Sequence, residues 1–288
     1  MSRRREIGGR LAALTDIAGI LSAMKSLALM ETRLLSDFLD HQQRLVAGIE
    51  ATAADFLAWH GEFAPPPGEE RELCVLVGSE QGFCGDFNEA IAAWVRATCA
   101  ANQAPARWAV VGQRLAARLA DDPRVALALP GATVVDEVPA VLLRLTRELN
   151  RLLATAALAG YGLSALYHCD ATGDIRLRRL LPLRDLPPAP ARACPPELNL
   201  SPADFLAGLT GHYLYAALNE VLYSSLMAEN RQRLVHMDRA LDRLDADTAQ
   251  LRLAYNRQRQ EEIVEEIEVI LLSADLLAGE ESRPSTPA

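Results

Sequence analysis

The sequence predicts an α/β protein: two long helices at the ends of the chain pair as an antiparallel coiled coil, and a separate Rossmann-like domain lies between them. Two observations predict this. Both ends of the 288-residue chain carry proline-free heptad patterns of apolar residues. Between them, short apolar runs alternate with helical segments, which is typical of a mostly parallel sheet. We expect an N-terminal helix over 1–62, an α/β domain over 70–196, a C-terminal helix over 200–279 and a flexible tail over 280–288.

The first helix is predicted by apolar residues at alternating steps of four and three. Twelve of fifteen such positions are apolar, and Lys25, Thr32 and Gln42 are the exceptions. The fifteen positions, called the seam below, are Ile7, Leu11, Leu14, Ala18, Leu21, Lys25, Ala28, Thr32, Leu35, Leu39, Gln42, Val46, Ile49, Ala53 and Phe56. A narrow apolar stripe with charged flanks indicates a coiled coil. A helix of this length, roughly 80 Å at 1.5 Å per residue, needs a partner along its length.

The last helix is predicted to begin at Pro202, where Ser201 can serve as the N-cap and proline occupies the first helical position. The same stepping continues through Leu234, Met237, Leu241, Leu244, Thr248, Leu251 and Tyr255, after which the phase is lost. A compact insertion can return the chain near where it left, so we expect the two helices to lie antiparallel. Parallel homodimers of each helix are the alternative, because heptads alone do not specify partner or orientation.

The middle of the chain predicts a sheet with alternating helices. Gly78, Gly82 and Gly85 follow the first strand and precede a helix, which is the position of a phosphate-binding loop. Their spacing matches no nucleotide-binding motif, and a tight turn is the more common role of such glycines. An enzyme with a nucleotide site at this loop stays an alternative.

The predicted strands cover 73–78, 108–111, 133–135, 163–168 and 175–181, and the predicted helices cover 89–101, 114–119 and 139–157.

Composition excludes several other classes of function. A formal net charge of −9 argues against a general nucleic-acid binder, which needs a surplus of Lys and Arg. The five cysteines are an odd number without CxxC spacing, so we expect neither a disulfide framework nor a zinc site. We expect the protein to occupy a reducing compartment. We also expect no cofactor, and no transmembrane segment, because no stretch approaches eighteen uncharged apolar residues.

Four segments of the chain carry a family resemblance. They are 20–28 (ILSAMKSLA), 79–88 (SEQGFCGDFN), 229–237 (ENRQRLVHM) and 253–260 (LAYNRQRQ), the last followed by Ile263 and Glu266. In this order they resemble the Met-Lys segment, the Gly-Leu-Cys-Gly loop and the two C-terminal signatures of the gamma subunit of F-type rotary ATP synthases. Gly82, Cys84, Gly85 and Asn88 match the loop motif.

The resemblance implies a rotor shaft that is not itself catalytic. In that family the coiled coil lies inside a ring of alternating alpha and beta subunits, while the α/β domain docks on epsilon and on the c-type ring of the membrane. The chain would then be a peripheral protein at the cytoplasmic face of a bacterial plasma membrane. Its departures from the family pattern suggest a divergent member, such as an alternative ATPase of a GC-rich bacterium, with H⁺ or Na⁺ as the coupling ion.

The resemblance also implies a site of torque transmission. In the family, the Met-Lys pair lies near a beta-subunit loop and beside the second C-terminal signature. The residues implied in the contact are Met24, Lys25, Arg257, Arg259, Gln260 and Glu266. A charge on a coiled-coil seam is costly unless it is paired or at an edge, so Lys25 either fixes the register or marks where the seam opens toward a partner. A stand-alone coiled-coil adaptor would explain the heptads equally well, but not the four motifs.

Overall fold

The computed structural model describes residues 3–65, 72–101, 107–154, 162–189, 191 and 194–281, with side chains as far as residue 271. The chain divides into two compact units. The first combines Met1–Lys25 with Met237–Ala288, and the second is Ser26–His236. The predicted tail falls mostly outside the described residues.

Two long helices begin and end the described chain. The helix α1 covers Arg3–Trp59, and the last helix, numbered α5 because three shorter helices precede it, covers Pro202–Glu281. The start of α5 is capped as predicted: the Ser201 hydroxyl accepts a hydrogen bond from the backbone N–H of Asp204 at 3.2 Å and donates one to its carboxylate at 2.6 Å. Proline at the first helical position loses no hydrogen bond there, because that N–H has no partner within a helix.

The predicted seam is confirmed along both helices. Each of the fifteen seam positions of α1 is buried or half-buried, and the seven predicted positions of α5 are too. In α5 the pattern continues past Tyr255 to Gln258 and Glu262, which are half-buried. The alternating spacing of four and three residues therefore continues after Tyr255, where the sequence predicted that it would be lost. Only the residue type changes, from apolar to polar.

The two helices run antiparallel within each unit. In the first unit Arg4 forms an ion pair with Glu262 at 3.1 Å, near one end of both helices. In the second unit the rings of Phe56 and Phe205 have centroids 5.0 Å apart. The first turns of α1 thus contact the later part of α5, and the last turns of α1 contact the start of α5. This confirms the predicted antiparallel orientation within one chain.

In the described part of the chain between α1 and α5, five strands and three shorter α-helices form the domain. The strand order is β3-β2-β1-β4-β5; the first four strands are parallel, and β5 is antiparallel to β4. In chain order the elements are β1 (Glu72–Val77), α2 (Phe87–Ala100), β2 (Arg107–Val111), α3 (Gln113–Arg118), β3 (Val125–Leu129), α4 (Val138–Leu153), β4 (Gly162–His168) and β5 (Ile175–Leu181).

Strand alternation divides the core between the two faces of the sheet. Leu73, Val75 and Val77 of β1 point to a large cluster that includes residues of α1, α4 and α5. Cys74 and Leu76 point to a smaller cluster with residues of α2 and α3. Successive side chains of a strand face opposite sides, so one strand contributes to both cores. The result is three layers, with the two long helices on one face.

One predicted strand is wrong. Residues 133–135 are not a strand, and Val135–Glu137 form a short 3-10 helix. The backbone N–H and the hydroxyl of Thr133 both donate to the Glu137 carboxylate, at 2.8 and 2.7 Å. Glu137 thus satisfies the polar groups of Thr133, and Glu31 of α1 accepts from the Val135 N–H, so the segment needs no neighbouring strand. The third strand lies earlier, at Val125–Leu129, where it pairs with β2.

A second apolar stripe on α1 is exposed. Its side chains are 47–61% exposed, and each precedes a seam position by one residue. They are Ile20, Leu27, Leu34, Phe38 and Leu45. On a helix a displacement of one residue is a rotation of 100°, so this stripe runs beside the seam and leaves a long apolar surface uncovered.

Candidate functional site

Lys25 is paired within the chain. Its ammonium group forms an ion pair with the Asp238 carboxylate on α5, and both side chains are about half exposed, at 41% and 52%. An exposed pair of this kind contributes about 0–1 kcal/mol to stability, so its main effect is on which residues face each other. The structure therefore favours the interpretation that Lys25 fixes the register.

The register separates the six predicted contact residues into two groups. Residues 4, 8 and 25 of α1 lie next to residues 262, 255 and 238 of α5. Arg257 is therefore roughly 28 Å farther along α5 than the residue that faces Lys25, at 1.5 Å per residue. Met24 and Lys25 form one group, and Arg257, Arg259, Gln260 and Glu266 form another near the first turns of α1. The four residues of the second group are exposed.

The loop motif is held together by its own hydrogen bonds. The Asn88 carboxamide accepts from the Ser79 backbone N–H at 2.9 Å and donates to the Ser79 hydroxyl at 2.7 Å. The Cys84 thiol donates to the same hydroxyl at 3.3 Å. Burial raises the pKa of Cys84, against the lowering effect of Ser79, so the thiol stays protonated. These residues have a structural role.

Two positions of this region require glycine, one because of its backbone conformation and one because of close packing. Gly85 has a φ of +61°, in the left-handed region that glycine adopts without strain. A Cβ on Gly78 would lie 2.3 Å from the Cβ of Leu115, a distance that packed atoms do not reach. Gly78 therefore lets α3 approach the end of β1 closely.

The loop motif contacts the first C-terminal signature. The guanidinium Nε of Arg233 donates to the carbonyl of Gly82 at 3.4 Å, and the Gln232 amide donates to Asp86 at 3.3 Å. Apolar contacts join Cys84 and Phe87 of the loop region to Ala228 of α5. The two motifs lie some 150 positions apart in the sequence, and the fold makes them one contact between the α/β domain and α5.

A buried ion pair lies within this contact. The Glu229 carboxylate is paired with Arg233 one helical turn later, and their side chains are only 4% and 5% exposed. Burial raises the pKa of Glu229 to about 7, although Arg233 lowers it and Glu80 raises it further. The carboxyl therefore changes charge near neutral pH.

The crevice where doubly wound sheets bind ligands is occupied by α5. Such crevices lie at the carboxyl ends of the strands where the strand order reverses, here between β1 and β4. The Ser225 hydroxyl of α5 donates to the Val77 carbonyl at the end of β1, at 3.4 Å. The Ser224 hydroxyl accepts from the Asp170 N–H after β4, at 3.0 Å. The protein's own helix thus fills the place of a nucleotide.

The backbone donors near the loop are also occupied. One carboxylate oxygen of Glu80 accepts from the N–H groups of Gln113 and Gly131, at 3.0 and 2.7 Å. Both amides follow parallel strands, where a phosphate would otherwise find donors. The geometry disfavours the alternative of a nucleotide-binding enzyme. Within the described residues, no group of three or more His, Cys, Asp or Glu side chains could hold a metal ion.

One described helix, Arg3–Trp59, is long and apolar enough to cross a membrane by length and composition alone. The prediction of no transmembrane segment rested on uncharged stretches, which is a stricter test. A helix that packs an apolar face against another helix meets the looser test as well. In the apolar first half of α1, the seam residues Leu21 and Ala28 are buried in this way.

Sequence reasoning missed two groups of polar contacts to α1. The buried Glu31 accepts from the Val135 N–H at 2.9 Å, which joins α1 to the start of α4. Arg178 of β5 is paired with Glu50 of α1 and Glu220 of α5. A charged residue in a strand is a weak signal. Glu31 precedes a seam position by one residue, as the exposed residues of the second stripe do, so its place in the pattern did not predict its burial.

Comparisons with known proteins agree with the fold. A family model described as ATP synthase matches residues 3–277. No curated protein sequence matches the chain. A chain of the mitochondrial ATP synthase of Euglena gracilis, in a structure of OSCP, F1 and c-ring, has a TM-score of 0.64 at 12% identity, and the match covers 99% of this chain and 98% of that one.

Two further solved structures are similar in fold. A chain of the Euglena gracilis ATP synthase rotor has a TM-score of 0.61 at 11% identity, with 90% of this chain and 98% of that one covered. A chain from the central stalk and c-ring of the Tetrahymena thermophila enzyme has a TM-score of 0.55 at 18% identity, covering 77% and 99%. With a family model that spans nearly the whole chain and four motifs in the expected order, the chain belongs to the ATP synthase gamma-subunit family.

Proposed function

We propose that this chain is the central rotor shaft of an F-type ATP synthase or ATPase. It couples ion-driven rotation of a membrane ring to ATP synthesis or hydrolysis in a ring of alpha and beta subunits, and it is not catalytic itself. The observation that carries this function is the match to the family model over residues 3–277. The antiparallel pairing of α1 and α5 supports it, because two paired helices resist twisting better than one.

The proposed partners follow from the family and from the complexes that contain the similar folds. The solved relatives come from assemblies described as F1 with c-ring, rotor, and central stalk with c-ring. For this chain we expect alpha and beta subunits around the coiled coil, with epsilon and a c-type ring at the α/β domain. Its location would be the cytoplasmic face of a bacterial plasma membrane.

The proposed contact with the catalytic ring has two levels. Met24 and Lys25 form the first level, and Arg257, Arg259, Gln260 and Glu266 form the second. The exposure of the second group leaves its charges available to a beta-subunit loop. A shaft touched at two levels passes torque to the ring at two separate places.

Co-purification tests the proposed function directly. A tag on the chain, expressed in its own host, should recover alpha and beta subunits in a complex that hydrolyses ATP. The same tag on an unrelated coiled-coil protein is the control for adhesion of apolar helices. Recovery of the chain alone, or with partners that have no ATPase activity, would instead favour an adaptor.

The coupling ion needs its own measurement. In vesicles that contain the complex, ATP-driven uptake of ²²Na⁺ that persists with a protonophore would assign Na⁺. Acidification that the protonophore abolishes, in the absence of Na⁺, would assign H⁺.

A further inference from the structure

Arg178 lies at the edge of the sheet, between the two long helices. It is the fourth residue of β5, and its pairing with Ala165 of β4 places both residues on the sheet face that packs against α1 and α5. The neighbouring residue Arg179 pairs with Ser164 and faces the other side. Strand alternation thus separates two adjacent arginines into different environments.

The guanidinium of Arg178 holds one carboxylate from each helix. One terminal nitrogen lies 2.6 Å from Glu50 of α1, and the other lies 2.7 Å from Glu220 of α5. The three side chains are only 15%, 22% and 13% exposed. The Tyr213 hydroxyl adds a bond of 3.3 Å to the same oxygen of Glu50. We call Arg178, Glu50 and Glu220 the arginine clamp.

The two carboxylates of the arginine clamp need the positive charge of Arg178 between them. Burial would lower the pKa of Arg178, but Glu220 and Glu50 outweigh burial and raise it. Two carboxylates face one guanidinium, so without the arginine the two helices would present like charges to each other in a partly buried place. The planar fork of arginine offers a separate nitrogen to each carboxylate in a fixed geometry, whereas the ammonium of lysine is a single point charge on a flexible stem.

Apolar packing alone constrains sliding and rotation less than directed bonds do. The core between the sheet and the long helices consists largely of aliphatic side chains, whose attraction has no preferred direction. Charge-assisted hydrogen bonds have a fixed geometry. The clamp joins one strand to both helices by such bonds, whereas the pair between Arg179 and Glu72, at 2.7 Å, joins two strands of the sheet.

We propose that Arg178 is a positioning residue for rotary coupling, which holds the α/β domain at a fixed angle to both α1 and α5. Rotation applied to the domain then reaches both helices together. This inference rests on the proposed function, because an angle between domain and helices matters only in a protein that transmits torque. The proposed contacts with the catalytic ring lie elsewhere on the chain.

The test compares Arg178→Lys with Arg179→Lys in the complete complex, reconstituted in vesicles. Arg178→Lys keeps the charge and loses the fork. We expect ATP hydrolysis to continue while the number of ions pumped per ATP falls about twofold or more, because the domain slips against the helices. Arg179→Lys makes the same substitution at a more exposed ion pair within the sheet, which has one carboxylate, and should leave the ratio unchanged.

A second pair of variants tests each arm of the clamp. Glu50→Gln and Glu220→Gln each remove one charged bond and leave the other, so each should lower the pumping ratio, even if Arg178→Lys does not assemble. An unchanged ratio in assembled Arg178→Lys, or an equal loss in Arg179→Lys, would overturn the proposal. The unaltered chain separates the two proposals: if it does not assemble with a catalytic ring, the rotor function fails before the clamp is tested.

Discussion

Glu229 and Arg233 show how a sequence motif can serve a contact. Both belong to the first C-terminal signature, and both are buried where α5 meets the loop after β1. Arg233 also donates to the Gly82 carbonyl, so it satisfies a loop backbone group and a buried carboxylate together. Removing one partner of such a pair would leave an uncompensated buried charge, which typically costs about 3–5 kcal/mol.

The stability of the protein should depend on pH through Glu229. Its pKa is raised from 4.5 to about 7 in the folded chain, with Arg233, Glu80 and Cys84 as its charged or titratable neighbours. The proton it holds stabilises the fold fully below pH 4.5, and this contribution is lost as the pH rises through about 7. Glu229→Gln carries no titrating proton, so urea unfolding from pH 5 to pH 8 should give a flatter stability profile.

Glu266→Gln is the matched control for this experiment, because Glu266 is an exposed glutamate on the same helix. Its profile should follow that of the unaltered protein. Parallel profiles for Glu229→Gln and the unaltered protein would contradict the assignment of the titration to Glu229.

Substitution of two glycines should have opposite effects on stability. Gly78→Ala places a Cβ against Leu115 and should destabilise the fold by about 1–3 kcal/mol through overpacking. Gly19→Ala adds a methyl group in open space on α1 and should stabilise it by about 0.5–1 kcal/mol. Urea unfolding measures both. If both variants lost stability, the loss in Gly78→Ala could not be assigned to the close approach between Gly78 and Leu115.

At the scale of elements, periodicity predicted the helices better than the strands. The seam extends over more than ten turns, so its period is sampled many times, and every seam position of α1 is buried or half-buried. A strand of five residues samples its period only twice. Residues 133–135 contain two adjacent valines and resemble a strand, whereas Val125–Leu129 alternates with alanines and has a weak apolar signal.

The separation of the two proposed contact levels gives a test of additivity. Met24→Lys and Arg259→Ala should each lower the ions pumped per ATP while the complex still assembles, because each alters one of the proposed contacts. Groups more than about 10 Å apart usually act independently, so the double variant should lose more coupling than either single variant. The measurement is ATP hydrolysis with ion uptake in vesicles.

Arg10→Ala serves as the control for the coil itself. It removes an exposed ion pair with Glu6, with an expected cost of about 0–1 kcal/mol, and should leave assembly intact. Unchanged coupling in both Met24→Lys and Arg259→Ala would remove these residues from the torque contact. A double variant no worse than the stronger single variant would mean that the two levels act as one.

At the scale of the molecule, α5 occupies the crevice in which sheets of this topology usually bind ligands. The sheet has the topology that places a crevice between β1 and β4, and Ser224 and Ser225 of α5 bond to the ends of both strands. We therefore expect the isolated chain not to bind ATP or ADP. Its unfolding temperature should be the same with and without millimolar Mg-ATP, and a saturable rise would revive the nucleotide-binding alternative.

The sequence could identify the parts of the site but not how they meet. The loop motif and the first C-terminal signature were each recognisable from their residues. Their contact depends on the crossing of α5 over the sheet, which no local pattern encodes. The partner of Lys25 was hidden for a similar reason: α5 has acidic residues at 238, 242, 245 and 247, and only the register selects among them.

The exposed stripe of α1 bears on how such a subunit is supplied in a cell. Leu27, Leu34, Phe38 and Leu45 present an apolar surface that monomeric proteins usually cover. Free copies would adhere to one another or be captured by chaperones and proteases before they reach an assembly. Translation of this chain in step with its partners, and insertion into a waiting ring, would keep that surface out of water from the start.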